Sequence, residues 1–356
     1  MCTLLDRARD LLVAGKVADA KDDFEKVFGA LVELRDVFFK SGLDLDNIES
    51  VFGAFEIARI IGRLSNYSPE QISSLAKSVR TLIVRTLDES IKYSHTRIDR
   101  IPVLAGSHAA LAALIRAVDK GAMDYSRYSF LTFNYDTALD YELMRAQIPY
   151  DYCLEPSTTP KVARLLKLHG SLNWSSCAQC GKIRAVEPGG LAKAVEVCRE
   201  KSPQPTGRDQ VSRFTVSAET MIAQSTCDQC KIALPKDPVV VPPTWNKTDG
   251  HNALKAVWNQ AAVELGQAEN IVCIGYSLPE SDLFFRYLFA LGTVGEAHIR
   301  RFWVFDPDPT RLVEERYRRL IGKGIESRFK FFHDDKGTFS HSVSGRGDLW
   351  QSLVSG

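Results

Sequence analysis

The sequence predicts an α/β protein: a mostly parallel sheet covered by helices, led by a helical N-terminal segment and interrupted by a four-cysteine module. Three observations carry this. From Tyr125 onward, short β-branched or aromatic runs alternate with helical periodicity, as in parallel strands joined by crossover helices. Before Tyr125, apolar residues recur three and four apart, the pattern of helices that bury one face. Two CxxC pairs, Cys177/Cys180 and Cys227/Cys230, frame a polar stretch containing Gly and Pro, where both patterns lapse.

The 356 residues suit one large α/β domain with an insertion, or two domains. The expected boundaries are a helical segment at 1–124, a core at 125–350 and an inserted module at 175–236. Lys and Arg number 45 against 44 Asp and Glu, so charge implies no nucleic-acid partner. No apolar run approaches the ~18 residues of a membrane helix, which excludes a membrane-spanning reading of this kind. The first sixteen residues mix acids and bases into an amphipathic pattern unlike a signal peptide, so a cytoplasmic location is expected.

The elements follow in order. Residues 22–42 place Phe24, Val27, Phe28, Leu31, Leu34 and Phe38 on one helical face, with Gly42 as the stop. A second helix follows a cap at Asp46 or Asn47. Residues 69–93 and 108–122 form two more. The run ending at Phe133-Asn134 is a strand, and Asp136 or Thr137 opens a helix. Residues 164–169 form a strand ending on His169-Gly170. Residues 238–241 form a strand stopped by Pro242 and Pro243. Two strand–loop–helix units follow, with "GYSLPESD" and "FDPD" as their loops and Ser281 or Asp282 as a helix cap. Residues 327–335 read as a last edge strand. The stretch between the CxxC pairs reads as an insertion with a mobile middle.

In parallel sheets, ligands bind beyond the carboxyl ends of strands. The chemical candidates are therefore Asn134, Asp136, His169, Ser277 and Asp306. Taken alone, Asp136 reads as a helix cap and His169 as a satisfied core histidine. Asn and Asp together at one strand end shift the balance toward function. A histidine opening onto a crevice suits general-base work near neutral pH, and Gly170 would allow a ligand close to the backbone. Gly275 and Ser277 offer backbone and hydroxyl donors to a phosphate or ribose. The Asp306 carboxylate can accept from ribose hydroxyls. For the cysteines, buried unpaired thiols or a redox CxxC are the alternatives. Two CxxC units on one insertion favour a closed, structural Zn2+ held by Cys177, Cys180, Cys227 and Cys230.

The order of these motifs resembles the sirtuin-like family, and within it the bacterial-type sirtuin-like NAD hydrolases. The resemblance rests on Asn134-Tyr135-Asp136, Lys167-Leu168-His169-Gly170-Ser171 and the run from Ile274 to Asp282. It covers residues 125–320. It implies a Rossmann-like fold with NAD as substrate. It also implies that Asn134 orients the ribose or a water, that His169 is the base, and that Asp136 lies near the nicotinamide amide. Phe133 would border the cofactor, and Gly275, Ser277 and Asp306 would face the adenosine. The implied activity is hydrolysis of NAD to nicotinamide and ADP-ribose, as in anti-phage defence effectors. Deacylating relatives carry Gln where Phe133 stands, and a different segment where "VVVPPTWNK" stands. The family's opening strand and Gly-Ala-Gly-x-Ser loop have no counterpart, so the chain either begins beyond them or has lost them. A non-catalytic nucleotide-binding or interaction module and an NAD-dependent deacylase are the alternatives. A homo-oligomer or an activating partner stays open.

Overall fold

The computed structural model describes residues 3–37, 42–96, 106–156, 159–201, 211–223, 225–241, 248–279, 283–293, 299–345 and 347–354. Phe38, Pro242, Pro243, Ser281 and Asp282, assigned roles above, lie outside them. Four helices come first: α1 (Leu4–Val13), α2 (Lys21–Val37), α3 (Ile48–Ile61) and α4 (Pro69–Ser90). Then come β1 (Tyr93–Thr96), α5 (Ser107–Asp119), β2 (Ser129–Thr132), α6 (Ala138–Arg145), β3 (Tyr150–Asp151) and β4 (Ala163–Lys167). The middle holds β5 (Gly170–Ser171), β6 (Trp174–Ser176), β7 (Ile183–Ala185), α7 (Pro188–Lys201), β8 (Val211–Phe214), α8 (Ala218–Ile222) and β9 (Val239–Val240). The last part holds α9 (Thr248–Gln267), β10 (Asn270–Ile274), α10 (Leu283–Gly292), β11 (Arg301–Phe305), α11 (Leu312–Leu320), β12 (Phe329–Phe332), α12 (Phe339–Ser342) and α13 (Asp348–Val354). No described helix is long and apolar enough to cross a membrane.

The chain divides into two compact units. The first comprises Met1–Arg97, Phe133–Thr137 and His169–Leu254. Its helices begin where capping chemistry says they should. Thr3 and Asp6 form a capping box on α1, Ser68 and Gln71 form one on α4 with Pro69 in its first turn, and Asn47 caps α3. Phe24, Val27, Leu31 and Leu34 of α2 are buried as the periodicity requires, and Phe28 is half-buried under the Arg9 guanidinium. The α4 helix contacts α1, α2 and α3 through Ile72, Leu75, Val79, Leu82 and Ile83, all buried.

Two features of this unit depart from the sequence reading. The helix expected to reach Tyr93 ends at Ser90, and Tyr93 enters β1, antiparallel to β8. The middle of the insertion is not loose throughout: residues 188–201 form α7, burying Leu191, Ala194 and Val195. Residues 202–210 lie outside the described set.

The second unit comprises Ile98–Thr132, Ala138–Leu168 and Lys255–Gly356. The mostly parallel sheet appears here as two three-stranded parallel sheets, ordered β2-β4-β3 and β10-β11-β12. The second is a βαβαβ unit with α10 and α11 as crossovers and β12 at the edge, the repeating half of a Rossmann-like sheet. Phe302, Trp303, Val304 and Phe305 of β11 are all buried, as a strand covered on both faces must be.

In the first sheet a lysine closes β4. Lys167 Nζ lies 3.2 and 3.0 Å from the two carboxylate oxygens of Asp140 on α6, and Tyr152 donates to the same carboxylate at 2.6 Å. Both charged side chains are essentially buried, at 1% and 0% exposure. Lys167→Met should therefore destabilise the chain by about 3–5 kcal/mol, because it strands the Asp140 charge. Adding Asp140→Leu should recover most of that loss. Urea unfolding of the two variants measures both.

Candidate active site and metal centre

Strand β2 ends at Thr132, two residues before Asn134. Residues 133–136 form a loop that turns back against the segment after β4. The Tyr135 carbonyl accepts from the Leu172 amide at 2.9 Å and from the Ser171 hydroxyl at 3.3 Å. The Tyr135 hydroxyl donates to the Val241 carbonyl at 3.3 Å, and the Val241 amide donates to the His169 carbonyl at 2.9 Å. Two sequence-distant segments and the end of β9 are thus locked by backbone groups. Burial of the Tyr135 phenol raises its pKa well above the usual tyrosine range.

The His169 ring lies near two aromatic rings of this loop, with the Phe133 centroid at 4.9 Å and that of Tyr135 at 6.2 Å. On the same loop Asn134 is exposed and Asp136 is half-buried. The histidine itself is only 3% exposed. The sequence reading had it opening onto a crevice; in the structure it is buried. Gly170 also has a different reason. Its φ is +89°, and a Cβ there would fall 2.1 Å from the Val239 carbonyl oxygen. The close backbone approach is therefore to β9, with which Gly170 pairs opposite Val240. Gly170→Ala should cost about 3 kcal/mol or more through combined strain and overpacking, read from the denaturant midpoint.

The expected adenosine-side residues belong to the second unit. Gly275 follows β10 at φ +64°, and its amide donates to the Phe305 carbonyl at 2.9 Å. The Ser277 side chain is exposed on a loop held from α11. Arg316 donates to the Ser277 carbonyl at 3.2 Å and the Tyr317 hydroxyl to the Tyr276 carbonyl at 2.8 Å. Buried Leu278, at φ +46°, anchors the same loop in the left-handed region, where a leucine is strained. Asp306 ends β11 and is nearly buried. One carboxylate oxygen accepts from the Asp308 amide at 3.0 Å, and burial raises its pKa above the ordinary carboxylate value.

The four cysteines converge. Their sulfurs all lie within 4.8 Å of one another, and Cys180 and Cys227 are 3.8 Å apart. A tetrahedral zinc with bonds of about 2.3 Å spaces its sulfurs by about 3.8 Å, so the donor set fits one zinc. The two knuckles share one backbone design. The Cys177 amide donates to the Lys182 carbonyl and the Gly181 amide to the Cys177 carbonyl, both at 2.9 Å. The Cys227 amide donates to Ile232 and the Lys231 amide to Cys227, both at 2.8 Å. Gly181 at φ +70° and Lys231 at φ +59° make the matching turns. Val186, Ile222 and Leu234 pack with Cys177 and Cys227 into the apolar shell around the knot. The Cys230 amide points at the Cys227 sulfur at 3.4 Å and holds that thiol down to about 6, while burial pushes Cys230 up to about 12. Four cysteines complete the coordination shell, so His169 is not needed as a ligand.

Sequence reasoning did not foresee the contacts that hold these loops: the Tyr93 hydroxyl on Thr137, the Asp140 carboxylate on Lys167 and the β9 backbone on Gly170. Only Lys167 carried a signal, as a charge inside an apolar strand.

No protein-family profile matches the chain, and no curated protein matches it. Among solved structures it is similar to Sir2 enzymes. One, described in work on the mechanism and regulation of Sir2 enzymes, is 14% identical over 80% of this chain and 81% of that one, with a TM-score of 0.35. A complex of Sir2 with a p53 peptide and NAD+ is 14% identical over 80% of each chain, with a TM-score of 0.32. A likeness this loose assigns no residue a role.

Proposed function

We propose that this chain is a sirtuin-like NAD-binding protein that hydrolyses NAD to nicotinamide and ADP-ribose. The observation that supports it is the joining of Asn134-Tyr135-Asp136 to His169-Gly170-Ser171 through the Tyr135 carbonyl, with Asn134 exposed and its neighbour Phe133 4.9 Å from the imidazole, centroid to centroid. The bond between the nicotinamide nitrogen and the ribose carbon breaks with its electron pair going to the ring, which becomes neutral. The ribose carbon becomes oxocarbenium-like and takes the oxygen of a water. Such a state needs oriented dipoles and a base rather than a strong nucleophile. The Asn134 carboxamide orients the water or the ribose, and His169 takes the proton of the attacking water and passes it to solvent. Asp136 and Phe133 border the nicotinamide.

Purified protein incubated with NAD should release nicotinamide and ADP-ribose in equal amounts, read by chromatography, without any peptide. Release that requires an acylated lysine peptide would instead identify a deacylase. The 3% exposure of His169 favours a second reading, nucleotide binding without turnover. ADP-ribose binding by calorimetry, with no nicotinamide from NAD, would establish it in place of the first.

A further inference from the structure

The loop bearing Asn134 ends on a fully buried threonine. Thr137 is 0% exposed and its hydroxyl lies 2.5 Å from the Tyr93 hydroxyl. The same threonine donates to the Met221 sulfur at 3.6 Å. A thioether only accepts, so the chain of donors runs from Tyr93 to Thr137 to Met221. Each partner is fixed in turn. Tyr93 lies on β1, and its ring stacks on Phe214 of the paired strand β8, with centroids 6.0 Å apart. Met221 lies on α8, a helix capped by Ser217 whose first amide donates to the buried carboxylate of Asp88 at 3.0 Å. The next residue, Ile222, packs against Cys177 and Cys227. Nothing in the motifs of the candidate site accounts for this hydroxyl pair. Burying two hydroxyls is costly unless each has its partner, which here they have.

We propose that Tyr93 and Thr137 are positioning residues. Their buried hydroxyl pair ties the Asn134–Asp136 loop to β1 and to the helix beside the four-cysteine knot, and so sets where the Asn134 carboxamide stands relative to His169. The inference rests on the proposed reaction for its catalytic consequence, and on the clasp alone for its structural one. The two are tested separately. The Leu172 amide, which donates to the Tyr135 carbonyl, reads the clasp directly through hydrogen exchange. Tyr93→Phe and Thr137→Val should speed its exchange roughly tenfold, the scale of one lost net hydrogen bond. Thr137→Ser, which keeps the hydroxyl, should leave it at the wild-type rate. Tyr152→Phe removes a buried tyrosine hydroxyl bonded to Asp140, and should not change it. In the NAD cleavage assay the first two variants should lose kcat roughly tenfold with KM little changed, and Thr137→Ser should restore it. Unchanged Leu172 exchange in both Tyr93→Phe and Thr137→Val would overturn the proposal, as would equal acceleration in Tyr152→Phe. If the wild type cleaves no NAD, the proposed reaction fails on its own and the exchange measurements still decide the positioning role. Tyr93→Phe changes one atom, so it remains informative if Thr137→Val does not fold.

Discussion

His169→Ala should slow nicotinamide release from NAD by roughly 10²–10⁴-fold near neutral pH, the range a positioned general base contributes. The loss should fall on kcat, with KM changed little, because in the proposed reaction the imidazole would act on the proton of the attacking water and not on the bound nucleotide. Asn134→Ala should also lower kcat, and it removes an exposed side chain, so its fold should be intact. The histidine is buried near Phe133 and Tyr135, so a folding defect has to be separated from a chemical one. His169→Gln keeps the volume and polarity while removing the base. Equal losses in His169→Ala and His169→Gln, with wild-type circular dichroism and zinc content, would fix the cause as chemistry. Wild-type release rates in His169→Gln would remove the base from the mechanism. Burial also has a consequence for the proposed turnover: a base 3% exposed would have to be uncovered before a water could meet it. The Phe133 ring lies 4.9 Å from the imidazole, and nicotinamide release by Phe133→Ala would show whether that ring limits the rate.

What was legible in the sequence follows from how local each feature is. A helix cap is read within four residues: of the two candidates Asp46 and Asn47, the structure uses Asn47. The CxxC pairs are covalently local, and their convergence follows from the chemistry of thiolates rather than from packing. Strand β1 was hidden because "YSHT" has no strong alternation and its partner β8 comes far later, after a helix the polar composition had also concealed. Loop and histidine motifs could be found as letters, yet their burial could not. Whether His169 faces water depends on tertiary packing, which brings Phe133 and Tyr135 of a distant segment near its ring. Gly170 was recognised as special, but the group it makes room for belongs to β9, paired through a short ladder that leaves no periodic trace. Lys167 looks like a misplaced surface charge until Asp140 and Tyr152 are seen around it.

The chain should carry one zinc, and removing it should undo the module between Trp174 and Leu234. The apolar shell around the knot is small: Val186, Ile222, Leu234 and the partly buried Ile232 with the cysteines themselves. So little buried surface cannot hold two knuckles and a two-stranded hairpin against chain entropy without a crosslink. In isolated zinc-finger peptides the metal contributes roughly 10–16 kcal/mol at neutral pH, and here at least about 5 kcal/mol of module stability should depend on it. Cys227→Ser is the most telling single change, since it removes the buried sulfur whose thiol the Cys230 amide already draws toward ionisation. The expected results are one zinc per chain released by a mercurial in a metallochromic assay, and reaction of Cys177 and Cys227 with a thiol reagent only after release. Hydrogen exchange should accelerate across β6, β7 and α8 once the metal is gone. The damage should then reach Thr137 through Met221, because α8 carries both that contact and Ile222. The α1–α4 bundle should keep its protection, since its buried apolar face is complete without the knot. Stoichiometry near zero with the same protected hairpin would mean that the four thiols pack as a buried cluster and need no metal.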